Sequence, residues 1–146
     1  MEETMIAENG IGLAAPQIGI SKQILIMDVP TNISVDGEEI EGLEAYPNFF
    51  KMINPKISWA SEQIATCQEG CLSVPGQFAP IKRPEKVRVK YLNENGESCE
   101  TEFSHLQAAC VQHEMDHLDG KLFVDYLSSI KRDMFIRKAQ KIAQNR

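Results

Sequence analysis

The sequence predicts an α+β fold: small mixed or antiparallel sheets packed around one central helix, with a second helix at the C-terminus. Three observations carry this expectation. Segments of strand character, either apolar runs or period-two alternation, recur between Gln23 and Phe103. The stretch from His105 to Leu118 has helical spacing, with Ser104 before it and Gly120 after it. The last segment, Ser129 to Gln144, is basic and repeats apolar residues at helical intervals.

Each element follows from local chemistry. Glu2 to Asn9 reads as the end of a helix that Gly10 stops. Ile11 to Ile20 is rich in Gly and Ala and holds Pro16, so turn or irregular backbone is expected. Gln23 to Val29 is an apolar run suited to a buried strand. Residues 30–48 are acidic and polar with two prolines, which suits an exposed loop. Phe50 to Ser58 and Trp59 to Thr66 read as short strands around Asn54-Pro55. Val87 to Leu92 alternates as a half-buried strand should, Asn93 to Gly96 is a hairpin turn, and Ser98 to Phe103 returns. Ser104 and Gln107 form a capping-box pattern for the central helix. In the last helix Met134, Phe135, Ala139 and Ile142 are expected to face the core.

At 146 residues, 42% hydrophobic and 25% charged, the chain suits one globular domain spanning 1–146. No apolar run approaches the roughly 20 residues that span a membrane. The acidic start, Met1-Glu2-Glu3-Thr4-Met5, lacks a signal-peptide pattern, so a cytoplasmic location is expected. In that setting Cys67, Cys71, Cys99 and Cys110 are expected as thiols or metal ligands, not disulfides. Charge is unevenly spread. From Lys121 onward seven basic and two acidic residues give a net of +5, whereas the preceding 120 residues, with eight basic and 19 acidic, carry −11. A basic tail on an acidic body suits an anionic partner such as nucleic acid, or is simply a solvated helix face.

The chemistry concentrates in Gln112-His113-Glu114-Met115-Asp116-His117, an H-E-x-x-H motif. Residues four apart share a helical face, so His113 and His117 can present imidazole nitrogens to one ion. Glu114 stands beside the first of them, where a carboxylate can take a proton from activated water. The alternative is a surface helix with two solvated histidines. A catalytic site needs a third protein ligand. Downstream, Asp125 is the usable candidate. Upstream, Cys71 follows Gly70, and a thiolate is a strong ligand. Cys110 shares the ligand face of the helix. Cys67 with Cys71 would instead make a closed Cys2His2 site and leave Glu114 idle.

Three motifs in order resemble the signature motifs of peptide deformylases: Gly10-Ile11-Gly12-Leu13-Ala14-Ala15-Pro16-Gln17, Glu69-Gly70-Cys71-Leu72-Ser73 and the H-E-x-x-H segment. The resemblance covers nearly the whole chain. It implies a metal-dependent hydrolase that removes the N-formyl group from N-terminal formylmethionine of nascent polypeptides and releases formate. It assigns Cys71, His113 and His117 to one divalent metal ion. Ferrous iron is the expected ion, with zinc, nickel or cobalt as alternatives. It makes Glu114 the general acid/base, and Gln17 and the Leu72 backbone N–H the oxyanion hole. Ile11, Gly12, Glu69 and Gly70 would border the substrate. Cys110, with Ile11, Leu106 and Ala109, would line an apolar pocket for the methionine side chain, although core packing accounts equally well for Leu106 and Ala109. The implied partners are N-formylmethionyl peptides and the ribosome, the latter through the basic C-terminal helix. Neither DNA nor membrane is expected as a partner, and a monomer is expected. Relative to the family, the chain is expected to lack an N-terminal segment, and the acidic stretch from Thr31 to Asn48 reads as an insertion.

Overall fold

The computed structural model describes residues 1–7, 10–44, 49–71 and 74–144. Helix α1 (Glu2–Ala7) leads into strands β1 (Gly12–Ala14), β2 (Ile24–Asp28), β3 (Phe49–Ala60), β4 (Ile64–Cys71), β5 (Val74–Pro84), β6 (Lys86–Leu92) and β7 (Ser98–Ser104), then helices α2 (His105–Leu118) and α3 (Ser129–Gln144). Two 3-10 turns, Ala15–Ile18 and Phe123–Tyr126, complete the elements. The α+β class is as expected, and both sheets are antiparallel. One has five strands in the order β1-β2-β3-β6-β7; the other is the β4–β5 pair.

The main core lies where α2 crosses the five-stranded sheet. Ala108, Cys110 and Val111 pack against Leu25, Met27, Met52, Val87, Val89 and Phe103. A second core joins β5 to the C-terminal region through Ala79, Ile81, Phe123, Val124 and Ala139. Full burial of the Val, Leu, Ile, Phe and Met side chains among these stabilises by about 1.5–3 kcal/mol each. Helix α2 is therefore set into the larger core, and β4–β5 packs against it from the other side.

Several expectations are corrected. Ile11 to Ile20 is not irregular throughout: β1 pairs with β2, and a 3-10 turn follows. Gly12 permits this, because a Cβ there would stand 2.9 Å from Cys110 Sγ and 3.0 Å from Glu114 Cγ. The two short strands expected from Phe50 to Thr66 are instead one long strand, β3, that ends at Ala60, followed by the start of β4 at Ile64. Asn54 takes φ 51° inside β3, and the β3–β6 register shifts between Ile53 and Lys56, so a bulge absorbs the proline. Trp59 belongs to β3, and the chain reverses at Ser61, whose Oγ accepts from the Lys86 N–H at 3.0 Å and donates to the Gln63 carbonyl at 3.0 Å. Strand β5 contains Pro75, Pro80 and Pro84, a composition that hides a strand; an edge strand tolerates missing N–H donors.

The capping box is also corrected. Ser104 makes no side-chain cap, and His105 enters the helix at φ 58°. The distant loop after β2 supplies the acceptors instead. Leu106 N–H donates to the Ile33 carbonyl (3.1 Å) and Gln107 Nε2 to the Val29 carbonyl (2.8 Å). Gly120, at φ 77°, ends α2 as expected. In α3, Phe135 and Ala139 join the second core, but Met134 is 40% exposed and lies one turn from exposed Ile130. The expected helix end at Asn9 lies outside the described residues.

Candidate metal centre and its cavity

The H-E-x-x-H spacing works as helix geometry requires: His113 Nε2 and His117 Nε2 are 3.1 Å apart. Strand β4 ends beneath them and brings Cys71 Sγ to 3.2 Å from His117 Nε2. The candidate ligand atoms of Cys71, His113 and His117 all lie within 4.8 Å of one another. Bonds of about 2.0–2.3 Å to a common ion place tetrahedral ligands at such separations.

The other proposed ligands have different partners. Cys67 is buried and donates to the Val35 carbonyl at 3.4 Å. Asp125 accepts from the Leu122 N–H and from Arg132 Nε. Cys110 points toward the Ile11 carbonyl at 3.9 Å, and burial pushes its thiol well above the ordinary range, which keeps it protonated.

Electrostatics at the centre favour a cation. Burial works against a charged His113, yet Cys71, Glu69 and Glu114 outweigh it and push the imidazole up to about 10. A divalent ion satisfies the same field. His113 Nδ1 lies 2.8 Å from Glu69 Oε1. Burial works to raise the Glu69 carboxyl, but Arg83 and His113 hold it below the usual range, so it stays ionised and accepts. The Nδ1 proton therefore points at Glu69, and Nε2 keeps its lone pair for an ion.

A buried chain of charges stands behind His113, and the sequence reading overlooked it. Arg83 donates through Nε and Nη2 to Glu69 (2.5 and 2.8 Å) and through Nη1 to Asp116 (2.8 Å). Tyr126 Oη donates to the same Asp116 oxygen at 2.7 Å, and its ring lies 5.0 Å from the Arg83 guanidinium carbon. A signal existed. On β5, Ala79, Ile81 and Arg83 occupy alternate buried positions, so Arg83 is a charge on a core-facing register.

Above the centre lies a cavity of about 720 Å³. Ile11, Gly12, Gly70, Leu106, Ala109 and Cys110 line it, together with Gln17, Glu69, His113 and Glu114. Glu69 thus borders the cavity while its carboxylate is engaged with Arg83 and His113. Gln17 is held at both ends: Oε1 accepts from the Ala14 N–H at 2.8 Å, and Nε2 donates to Cys71 Sγ at 3.3 Å. Glu114 is 5% exposed, and its Oε2 has no hydrogen-bond partner among the described residues. Burial raises its carboxyl to about 7 against the lowering effect of His113 and His117. A buried polar atom without a protein partner, beside three candidate ligands, suits a site that takes water and substrate. Leu72 lies outside the described residues.

The polypeptide deformylase family model matches residues 1–133. A peptide deformylase of Phenylobacterium zucineum is 46% identical over 144 residues, covering 99% of this chain and 79% of that protein. One from Bartonella tribocorum is 47% identical over 146 residues, covering 100% and 77%. The crystal structure of peptide deformylase from Ehrlichia chaffeensis superposes with a TM-score of 0.87 at 46% identity, covering 99% of this chain and 80% of that one.

Proposed function

Since the chain belongs to the polypeptide deformylase family, we propose that Cys71, His113 and His117 hold its metal and that Glu114 moves the proton. The protein is a metal-dependent hydrolase that removes the N-formyl group from nascent polypeptides. The observation that carries the residue assignment is the convergence of the three ligand atoms within 4.8 Å at the floor of the cavity. One thiolate and two neutral imidazoles leave a divalent ion with net charge +1. That set accepts iron, zinc, nickel or cobalt, and we assign ferrous iron as the working metal. When bound, the ion polarises water and the formyl carbonyl.

The chain's own residues then divide the work. Glu114 takes the proton of the attacking water. The oxygen adds to the formyl carbon, and the carbonyl oxygen gains negative charge. Gln17 Nε2, fixed by the Ala14 contact, donates to that oxygen; such a donor is worth about 3 kcal/mol in the transition state. The Leu72 N–H is its proposed companion. The C–N bond breaks as Glu114 gives its proton to the leaving amine, releasing formate and a free N-terminus.

Substrate fits as an added strand. β1 pairs only with β2, and β4 only with β5, among the described residues. Both contribute lining to the cavity, β1 through Gly12 and Leu13 and β4 from Cys67 to Cys71. An extended peptide can bond backbone to these edges, with the methionine side chain directed at Leu106, Ala109 and Cys110. The ligand set comes from one chain, in keeping with a monomer. The deciding experiment is anaerobic formate release from a formylmethionyl peptide after iron is restored. For the ligands, Cys71→Ala is expected to abolish stoichiometric metal binding, and Cys67→Ala to leave it unchanged, by metal analysis after gel filtration. Equal loss from both would favour a closed Cys2His2 site.

We further assign the cytoplasm as the location and the ribosome as a docking partner. Arg137, Lys138 and Lys141 are exposed on α3 beside Ile130 and Met134; Arg146 lies outside the described residues. Phosphate contacts release counterions. Replacing Arg137, Lys138 and Lys141 by Gln is therefore expected to weaken ribosome co-sedimentation and to reduce the slope of log affinity against log salt by roughly 2–3. An unchanged slope would make the helix a solvated face.

A further inference from the structure

The β4–β5 pair has two differently furnished faces. Cys67 and Glu69 on β4, and Ala79, Ile81 and Arg83 on β5, are buried toward α2 and α3. Gln68, Phe78, Pro80 and Lys82 alternate with them and are exposed on the other face. Phe78 is 68% exposed, a large apolar surface for one residue, and it borders the cavity. It stands opposite Gly70 in the β4–β5 register. Its ring lies over Gly70: a Cβ added there would collide with Phe78 Cδ1 and Cε1. The ring is thus tethered across β4 at the residue that precedes Cys71, toward the strand edge that β5 does not use.

Strand alternation says what meets this ring. A peptide added along the β4 edge sends successive side chains to opposite faces. With the methionine side chain on the α2 side, against Ala109 and Cys110, the next side chain must emerge on the outer face. There it lies alongside Gly70, which has no side chain to separate it from Phe78. We propose that Phe78 is a specificity-determining residue that selects an apolar or aromatic side chain at the second residue of the formylated peptide. The proposal rests on the deformylase reading above and adds a substrate preference to it. Phe78 does not touch the reacting atoms, so its effect falls on kcat/KM through peptide affinity.

The test measures kcat/KM by formate release from iron-loaded enzyme. One set of peptides, formyl-Met-Xaa-Ala-Ser, varies the second residue among Phe, Leu, Ser and Glu; another, formyl-Met-Ala-Xaa-Ser, varies the third. The expected result is an approximately tenfold preference for Phe or Leu over Ser at the second residue, the size of one partly buried apolar contact, and a much smaller spread at the third. Phe78→Ala should collapse the second-residue preference to within about twofold, and Phe78→Leu should retain most of it. A flat second-residue profile in the parent overturns the proposal. So does a preference that survives Phe78→Ala, or one that sits at the third residue. No formate from any peptide would instead overturn the deformylase reading itself.

Discussion

Replacing Glu114 by alanine is expected to leave the metal bound and to lower kcat by about a hundredfold to ten-thousandfold, the range that a positioned acid or base supplies. The three candidate ligands survive the substitution. The group that is lost is the buried carboxylate whose Oε2 has no hydrogen-bond partner among the described residues. Metal content and formate release measured on one preparation separate the roles. Unchanged kcat would remove Glu114 from the proton path, and loss of metal would make it a ligand.

The largest effect on stability is expected at Arg83. Its guanidinium is nearly inaccessible and serves Glu69 and Asp116 together. Arg83→Met leaves Glu69 and Asp116 without the cation they share, in a poorly solvated space. Breaking a buried pair in this way costs about 3–5 kcal/mol. The comparison is Arg88→Met, which breaks the Arg88–Glu102 pair on the surface, where the expected loss is at most about 1 kcal/mol. Urea unfolding of the metal-loaded proteins gives both values. Arg83→Met should also weaken metal binding by about 10- to 100-fold, since Glu69 then loses the partner that holds it against His113. If the two arginine variants lost equal stability, the buried network would contribute nothing special.

What the sequence disclosed was local. His113 and His117 declare themselves because one helical turn joins them. The β6–β7 hairpin was legible from its alternation and its Asn-Gly turn. Cys71 is 46 residues from His117, and spacing alone could not rank it against Cys67, Cys110 or Asp125. Only the fold sends Cys67 to Val35 and Asp125 to Arg132. The capping box failed for the same reason. Ser104 and Gln107 have the right spacing, but the carbonyls of Val29 and Ile33 come from a distant loop. Met134 was misplaced because Phe135 and Ala139 set the buried stripe, and Met134 falls off it. Strand β5 was obscured by its prolines, which an edge position accommodates.

The candidate ligands come from two separately built pieces. His113 and His117 ride on the helix embedded in the five-stranded sheet, whereas Cys71 ends a strand of the two-stranded pair. Any ion held by all three is a cross-link between two cooperative units. Each unit can open with its own free energy, and a ligand that binds only when both are closed adds its binding energy to their association. Removing the metal should therefore act unequally. Amide hydrogens of β4 and β5 should exchange markedly faster in the stripped protein, while those of α2, secured by Val111 and Phe103 in the main core, should slow or quicken little. An ion held by all three would in that sense also rivet the fold.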